Sequence, residues 1–287
     1  MNRADLHAHT TASDGTLTPA ELVAEAQRVR LDVLAISDHD STEGIAPALQ
    51  ANHDSALRII PAIEINCDIP NGEVHMLGYF KAVPGDALQD LLLRLRAGRF
   101  ERARGMAARM NALGMPVSFE RIKELAGRGS IGRPHVARAI VEAGHAYTIG
   151  EAFERYIGRE GPAYVERMKL SPAEATQAIR ASGGAPVLAH PYMFDQYGTL
   201  LKSVGPDKLL PELVSAGLRG IETYYYRYPT SAITALLKMG AQYHLLATGG
   251  SDFHGSVKPG QGLGSIFVPW EAVGALLGEL GLPVPAP

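Results

Sequence analysis

The run DLHAHTTASDG, from Asp5 to Gly15, ends the first apolar segment with two histidines one residue apart and an aspartate at position 14. In a β-strand, residues i and i+2 point to the same side, so His7 and His9 can direct their imidazole rings at one point. Two neutral imidazoles that converge in this way are explained by a cation between them. The run therefore predicts a metal site at the end of the first strand.

Composition limits the classes of protein to which the chain can belong. Its 287 residues, 46% of them hydrophobic, can bury a full core as one large α/β domain or as one domain with an insertion. A net charge of −3 gives no global basic field for nucleic acid or anionic membrane. The single cysteine, Cys67, excludes intramolecular disulfides and a cysteine-built metal site. With no long apolar segment, we expect a cytoplasmic protein without membrane contact.

Short apolar runs typical of strands alternate with helical stretches along most of the chain. The predicted strands lie in RADLH, DVLAISDHD, RIIPAIEIN, EVHMLGYF, APVLAH, GIETYYY and HLLATGGSD. Two helices begin with a capping box and a first-turn proline, at Thr18 and at Ser171. This alternation indicates an α/β fold of parallel strands with helical crossovers, either a barrel or a doubly wound sheet.

The alternation stops in the middle of the chain. Residues 99–166 contain no strongly apolar strand and are helical and rich in arginine. We predict that they form a small α-helical insertion, a substrate cap, and that residues 1–98 and 167–287 form the main unit. Its arginines and those just before it are expected on a solvated helix face, with a weak track for RNA phosphates as the alternative. These are Arg94, Arg96, Arg99, Arg102, Arg104 and Arg109.

Histidines and carboxylates recur on or just past the predicted strands. In parallel α/β folds, active sites form at the carboxyl ends of the strands. Imidazole and carboxylate groups without thiolates suit Zn²⁺, Mn²⁺ or Fe²⁺. Nine groups are too many for one tetrahedral ion, so we predict two or three ions, with a carboxylate bridging at least one pair. The nine are His7, His9, Asp14, His39, Glu64, His75, His190, Asp252 and His254.

The motifs DLHAHTTASDG, ISDHD, AIEIN, EVHMLGYF, LAHP and GGSDFHG, in this order, resemble those of PHP-domain (polymerase and histidinol phosphatase) metallophosphoesterases. The resemblance covers both flanks of the predicted insertion. It implies a distorted (β/α)7 barrel with a trinuclear site, for which manganese is the expected metal and zinc or iron the alternatives.

The resemblance also implies which side chains share an ion. A first ion would be held by His7, His9, Glu64 and Asp252. A second, to which Glu64 would bridge, would be completed by His75 and His190. A third would be held by Asp14, His39 and His254.

The segment GSIGRPHVARAIVEAG, residues 129–144, is similar to a branch of this family often called TrpH-like or YciV-like, which has a helical insertion at the same place. That resemblance implies removal of the 3′-phosphate from nucleoside 3′,5′-bisphosphates such as pAp. Some members of the branch also trim short RNA in the 5′→3′ direction, so the resemblance implies this activity as well. The expected partners are therefore a small nucleotide and short RNA oligonucleotides, with no obligate protein partner.

Hydrolysis of a phosphate ester requires a nucleophile at neutral pH and neutralisation of charge on the phosphoryl oxygens. A metal-bridging hydroxide, from a water whose pKa is lowered towards ~7, would supply the first, and the ions would supply the second. Asp252 is the expected catalytic residue, as a ligand and proton acceptor. Asp38 is expected either to orient an imidazole or to cap a turn.

A substrate with two phosphates also needs a second anion site. The run SIGRPHVAR offers the Ser130 hydroxyl, the Arg133 guanidinium and the His135 imidazole, with free N–H groups if Pro134 opens a helix. The planar fork of arginine matches a phosphate with two parallel hydrogen bonds. The tyrosines of ETYYYRY, residues 222–228, are open between stacking a base and packing within a strand.

Three other functions compete with this one. Histidinol-phosphate phosphatases would use the same ligands, but the insertion and its GRPH segment argue against them. Metal-dependent amidohydrolases also begin with His-x-His, but they bridge their ions with a carboxylated lysine, and Glu64 in the comparable role favours phosphoesters. A PHP module that serves a polymerase as proofreader or structural partner would need the polymerase on a separate chain.

Overall fold

The computed structural model describes residues 2–53, 55–69, 72–127, 129–168, 170–194, 199–257 and 260–285. Its strands are β1 (Ala4–Asp5), β2 (Val33–Ile36), β3 (Arg58–Ile69), β4 (Gly72–Tyr79), β5 (Ala185–Leu188), β6 (Tyr192–Phe194), β7 (Leu200–Ser203), β8 (Gly220–Tyr225) and β9 (Leu246–Gly250). Its helices are α1 (Pro19–Arg28), α2 (Ile45–Ala51), α3 (Asp86–Ala112), α4 (Phe119–Ala126), α5 (Arg133–Glu142), α6 (Ile149–Ala152), α7 (Pro172–Ala181), α8 (Pro206–Ala216), α9 (Thr230–Tyr243) and α10 (Trp270–Glu279). A π-helical turn, Phe153–Ile157, continues α6, and a 3₁₀ turn spans Gly255–Val257.

Seven strands form one sheet in the order β1-β2-β3-β4-β5-β8-β9, and β6 pairs with β7 separately. Neighbours in the large sheet are parallel except β4, which is antiparallel to both β3 and β5. The sequence pattern predicts parallel strands throughout, and β4 departs from it because only two residues separate it from β3. So short a connection can only reverse the chain, whereas a parallel pair needs a crossover of a dozen residues or more.

The two edges of this sheet meet and nearly close it into a barrel. The amide of Leu6 donates to the Gly249 carbonyl at 3.2 Å, and that of His9 donates to the Phe253 carbonyl at 2.9 Å. Gly250 permits the approach, because a Cβ there would lie 2.5 Å from the His7 nitrogen. The predicted α/β fold, a distorted (β/α)7 barrel, is confirmed.

A buried carboxylate, Asp5, holds the same closure together. It accepts hydrogen bonds from the backbone amides of His7, Ser251 and Gly264, at 3.3, 2.9 and 2.8 Å, and from the Ser251 hydroxyl at 2.5 Å. Three segments far apart in sequence therefore converge on one side chain beside the ends of β1 and β9.

Helix α3 connects the barrel to the helices that follow it. It runs unbroken from Asp86 to Ala112, so the predicted boundary between residues 98 and 99 lies within a continuous helix. The segment beyond it has its own apolar core, in which Met106, Met110, Ile122 and Ile140 are all buried. The extent of the insertion, 99–166, stays a prediction. Among the described helices, none is both long and apolar enough to cross a bilayer.

Local capping follows the sequence. Thr18 and Ser171 each form the predicted capping box at the start of α1 and α7. Helix α5 begins at Arg133 with Pro134 in its first turn, as the GRPH run predicts.

Candidate metal centre

All nine predicted metal ligands lie together at one rim of the barrel. His7 and His9 follow β1, His39 follows β2, His190 follows β5, and Asp252 and His254 follow β9, while Glu64 is inside β3. His75 is near the start of β4, opposite Asn66 of β3. Because β4 is antiparallel, its beginning lies at the same rim as the ends of the parallel strands.

Four side chains form the first set, His7, His9, Glu64 and Asp252. The Nε2 atoms of His7 and His9 lie 3.4 and 3.2 Å from Oε2 of Glu64, and 3.5 and 3.3 Å from Oδ1 of Asp252. Ligands about 2.1 Å from a common tetrahedral ion are about 3.4 Å apart. The four separations therefore fit a single divalent cation.

Two further sets adjoin the first. Oε1 of Glu64 lies 2.7 Å from Nδ1 of His75 and 2.9 Å from Nε2 of His190, so Glu64 presents one oxygen to each of two sets. Asp14, His39 and His254 form the third set together with His9, and Nε2 of His254 lies 3.3 Å from Asp14. The structure thus brings the nine side chains together in three adjoining sets, and which of them share an ion stays a prediction.

Several buried polar atoms in these sets have no hydrogen-bond partner among the described residues. They are Nε2 of His7, Nε2 of His9, Nδ1 of His39, Oδ1 of Asp14 and Oε2 of Glu64. A buried polar atom without a partner is costly and therefore rare, so five within one cluster require an explanation. Divalent cations at this point would satisfy all five, and the residues present fit such ions.

The charges of the cluster favour a cation. Burial disfavours the charged form of His9, but the carboxylates of Asp252 and Glu64, 3.3 and 3.2 Å from its Nε2, outweigh it and raise the pKa of His9 to about 9. Burial opposes ionisation of Glu64, yet the surrounding imidazoles lower its pKa well below the usual range. The carboxylates thus stay ionised and attract positive charge, for which protons and metal ions compete.

Glu222 is a member of this site that the sequence analysis missed. Its Oε1 lies 2.9 Å from Nδ1 of His7, and its Oε2 accepts the backbone N–H of His190 at 2.8 Å. A proton on Nδ1 leaves the lone pair of His7 Nε2 directed at Glu64 and Asp252. The available signal was an acidic residue inside GIETYYY, since a carboxylate within a buried strand needs a partner.

Asp38 supports the loop after β1. It accepts from the Thr10 amide and hydroxyl, at 2.8 and 2.7 Å, and from the Ser13 hydroxyl at 2.6 Å. The same Ser13 hydroxyl lies 3.4 Å from Nδ1 of His9. Asp38 therefore stabilises a turn, which is one of its two predicted roles. Its contact with the His9 imidazole is indirect and passes through the Ser13 hydroxyl.

A cavity of about 250 Å³ opens on the metal-ligand cluster. One side, here called the ligand wall, is the cluster of nine predicted ligands, of which Asp14, His39, His75, His190 and His254 line the cavity. The basic side chains that line the same cavity, here called the arginine wall, are Arg99, Arg102, Arg133 and Lys202. Tyr192 and Phe153 also line the cavity and provide aromatic surface.

The prediction of a solvated arginine face is wrong for Arg99 and Arg102, which are only 3% and 4% exposed. Arg99 donates to Asp40 at 2.5 Å and to the side-chain oxygen of Asn66. The guanidinium of Arg102 has no hydrogen bond or ion pair within the described part of the chain. Burial, with the guanidinium groups of Arg99 and Arg133, lowers the pKa of Arg102 well below its usual value.

The three residues predicted to bind the second phosphate lie on different cavities. Arg133 is on the arginine wall, pairs with Glu73 and lies over the Phe153 ring. Ser130 lines a separate groove beside α3. Nδ1 of His135 accepts the Gly132 amide at 3.0 Å, and the ring lines a third cavity behind Asp14. Only Arg133 thus faces the space in front of the ligand wall.

The tyrosines of residues 222–228 pack as parts of the fold. The Tyr228 hydroxyl accepts the Tyr192 amide at 2.9 Å and donates to the Tyr192 carbonyl at 3.0 Å. Neither Tyr225 nor Tyr228 lines the cavity, although Tyr192, to which Tyr228 is hydrogen-bonded, does so. Two histidines that are not among the nine predicted ligands lie elsewhere: His145 faces the Pro116 carbonyl, and His244 ends α9.

Comparison with known proteins gives consistent matches. A model of the PHP domain matches residues 5–148. The 5′-3′ exoribonuclease Rnm of Salmonella typhimurium is 36% identical over 252 residues, which cover 87% of this chain and 84% of that protein. A 3′,5′-nucleoside bisphosphate phosphatase of Chromobacterium violaceum is 31% identical over 263 residues, covering 91% and 90%.

A solved structure from Bifidobacterium adolescentis, proposed to be a metal-dependent phosphoesterase, superimposes with a TM-score of 0.86 at 31% identity. The match covers 97% of this chain and 96% of that one. The similarity therefore includes the helical segment between the two parts of the barrel, as well as the barrel itself.

Proposed function

The chain belongs to the PHP-domain family, and from that premise we propose that it is a metal-dependent phosphatase of nucleoside 3′,5′-bisphosphates such as pAp. One observation carries the proposal. A single cavity is lined by five of the nine predicted metal ligands and by Arg99, Arg102, Arg133 and Lys202, whose positive charge is only partly compensated. Such a cavity suits a substrate with one phosphate to be cleaved and a second to be held.

The ligand wall would hold two or three divalent ions, which when bound supply a nucleophile at neutral pH and neutralise charge on the phosphoryl oxygens. Glu64 shares its two oxygens between two sets and would fix the spacing of a pair of ions. Manganese is the proposed metal, because the donors are imidazoles and carboxylates without thiolates. Asp252 is retained as the proposed catalytic residue, a ligand and proton acceptor next to the reacting phosphate.

The charges of the arginine wall fit the second phosphate. Its cationic side chains are Arg99, Arg102, Arg133 and Lys202. Asp40 pairs with Arg99 and Glu73 with Arg133, so four positive charges less two negative ones leave an excess of two. A buried guanidinium without a counter-ion is unfavourable, and the phosphate dianion that is not cleaved would supply one to Arg102. Arg133, next to it, would share that phosphate.

The same excess charge argues against a histidinol-phosphate phosphatase. Histidinol phosphate has one phosphate and a protonated amine, and the amine would be repelled by Arg102 and Lys202. An amidohydrolase is disfavoured because Glu64, and no lysine, lies between the first two sets. A purely structural module of a polymerase would not need five buried polar atoms aimed at one point.

Trimming of short RNA from its 5′ end is a second candidate, favoured by the similarity to the exoribonuclease of Salmonella typhimurium. The first nucleotide of a 5′-phosphorylated RNA has a 5′-phosphate and a 3′-phosphoester, as a nucleoside bisphosphate has. One site can therefore hold the 5′-phosphate on the arginine wall and cleave the 3′-ester at the ligand wall in both substrates.

The test is one set of assays on purified protein with Mn²⁺. Phosphate release is measured from pAp, 3′-AMP and histidinol phosphate, and nucleotide release from a short 5′-phosphorylated RNA. We expect kcat/KM to be highest for pAp and to fall for 3′-AMP, which lacks the second phosphate. Equal turnover of 3′-AMP and pAp would contradict the proposal, and preference for histidinol phosphate would replace it.

A further inference from the structure

Strand β8 has an irregularity next to the candidate metal centre. Its pairing with β9 shifts by one residue, so that Glu222 faces Thr248 while Tyr224 faces Gly249. Thr223 is the extra residue; it is fully buried, and its hydroxyl donates to the Ile221 carbonyl at 3.2 Å. Gly249 allows the bulge, because a methyl group there would overlap the Tyr224 carbonyl. Bulges of this kind re-aim side chains and are frequent beside active sites.

The bulge changes which side chains face the site. In a regular strand, residues three apart point to opposite sides. With the extra residue, Glu222 and Tyr225 both reach the ligand sets: Glu222 contacts His7 and His190, and the Tyr225 hydroxyl donates to Oδ2 of Asp252 at 2.7 Å.

The two side chains act where the backbone is strained. His190 and Asp252 have φ values of +21° and +52°, a region that non-glycine residues seldom adopt. Such conformations persist only where surrounding contacts fix them. Glu222 accepts the backbone N–H of His190, and Tyr225 binds the carboxylate of Asp252. Each strained residue is thus held by one of the two side chains that the bulge presents.

We propose that Glu222 and Tyr225 are positioning residues, which the β8 bulge presents to orient three metal-ligating side chains, His7, His190 and Asp252. Glu222 sets the tautomer of His7, so that Nε2 faces Glu64 and Asp252. Tyr225 occupies Oδ2 of Asp252 and leaves Oδ1 for His7, His9 and the ion. The inference rests on the proposed metal centre, but it does not depend on which phosphoester is the substrate.

The test uses Tyr225→Phe and Glu222→Gln, with Tyr224→Phe as the matched control on the same strand. Binding of Mn²⁺ and of Zn²⁺ to chelator-treated protein is measured by calorimetry, and thermal unfolding of the same metal-free protein is measured in parallel. Glutamine replaces one acceptor oxygen with a donor, so Glu222→Gln can keep only one of its two contacts. Phenylalanine removes one hydroxyl and keeps the ring packing.

We expect both variants to bind metal about ten- to a hundred-fold more weakly, as is usual when a partner of a metal ligand is lost. Tyr224→Phe should bind as the wild type does. For pAp, kcat should fall while KM stays within about two-fold, because neither residue lines the substrate cavity. Metal-free Tyr225→Phe should unfold near the wild-type temperature, which a merely structural role would not allow.

Wild-type metal stoichiometry and affinity in both variants would overturn the inference. If Glu222→Gln does not fold, Tyr225→Phe decides the question alone, since it removes a single buried oxygen. Failure of the wild type to bind metal would instead overturn the proposed function. Metal binding by the wild type without turnover of pAp would leave the positioning role standing and reject the substrate.

Discussion

The ligand wall and the arginine wall both line one cavity, but they are built in different ways. The ligand wall takes its side chains from the rim of a sheet, where the backbone geometry of six strands fixes their directions. The arginine wall takes Arg99 and Arg102 from the middle of a 27-residue helix, and Arg133 from the first turn of another. The end of a strand can be recognised in the sequence, so the positions of its side chains can be predicted, whereas the side to which a residue of a long helix points cannot be predicted in this way.

The two walls also differ in how their charges are balanced. On the ligand wall, carboxylates and imidazoles converge, and five of their buried polar atoms have no hydrogen-bond partner among the described residues. On the arginine wall, Arg102 lacks an anion among the described residues. The same physical argument, that a buried charge or polar atom needs a partner, therefore predicts ligands of opposite sign on the two sides. A phosphate ester held between metal ions and arginines satisfies both.

The largest expected effect is on the ligand wall, from Glu64→Gln. The variant removes the charge that two sets share, so kcat/KM for pAp should fall by about a thousand-fold or more. Elemental analysis should show less than the wild-type metal content. Glu73→Gln, which alters a buried carboxylate of the cavity outside the metal sets, is the control and should keep that content. Near-normal turnover by Glu64→Gln would refute a multinuclear centre.

The Arg102→Gln variant should lower kcat/KM for pAp much more than kcat/KM for 3′-AMP, which distinguishes the arginine wall from the ligand wall. A charge-assisted contact to phosphate is worth roughly 1.5–3 kcal/mol, so kcat/KM for pAp should fall about ten- to two-hundred-fold. For 3′-AMP, which offers no second phosphate, the loss should be small, and metal content should not change. Equal losses on both substrates would mean that Arg102 contacts the scissile phosphate or only supports the cavity.

The ion pair between Glu73 and Arg133 should make the free energy of unfolding depend on pH. Burial opposes ionisation of Glu73, but Arg133 outweighs it and lowers the pKa of Glu73 from about 4.5 to about 2. Because the pKa is depressed in the folded state, the stabilisation is complete above about pH 4.5 and is lost as the pH falls towards 2.

The measurement is the free energy of unfolding of the wild type and of Glu73→Gln, by urea titration of metal-free protein. The advantage of the wild type should shrink by about 2 kcal/mol between pH 6 and pH 3. An advantage that is constant over this range would show that Glu73 is not ionised by Arg133 in the folded protein.

The smallest effect is expected on the outer side of α3. Arg104 is exposed and pairs with Glu101 one turn away, also exposed. Arg104→Gln should change kcat/KM for pAp by less than about two-fold and the free energy of unfolding by less than about 0.5 kcal/mol. A loss comparable to that of Arg102→Gln would mean that the general charge of the helix, and not the buried guanidinium, attracts the substrate.

Much of the fold and the ligand wall could be predicted from local patterns. His7-x-His9 shares a face because strands have a period of two residues, and the capping boxes at Thr18 and Ser171 are set by neighbours in sequence. The antiparallel direction of β4 was not predicted, although the connection to β3 is too short for a parallel crossover. Glu222 was missed because its partners, His7 and His190, are distant in sequence.

By itself, the sequence determined the predicted set of metal ligands and the class of fold that brings those side chains together. Their types and their places at strand ends follow from local geometry, and local geometry is encoded within a few residues. Only the tertiary structure decided which arginines are buried, because burial of Arg99 and Arg102 depends on the face of α3 that packs against the barrel. The tertiary structure also decided the roles of Glu222 and Tyr225. The extra residue in β8 reverses the side to which the following side chains point, and this shift in register can be recognised only from the pairing of β8 with β9.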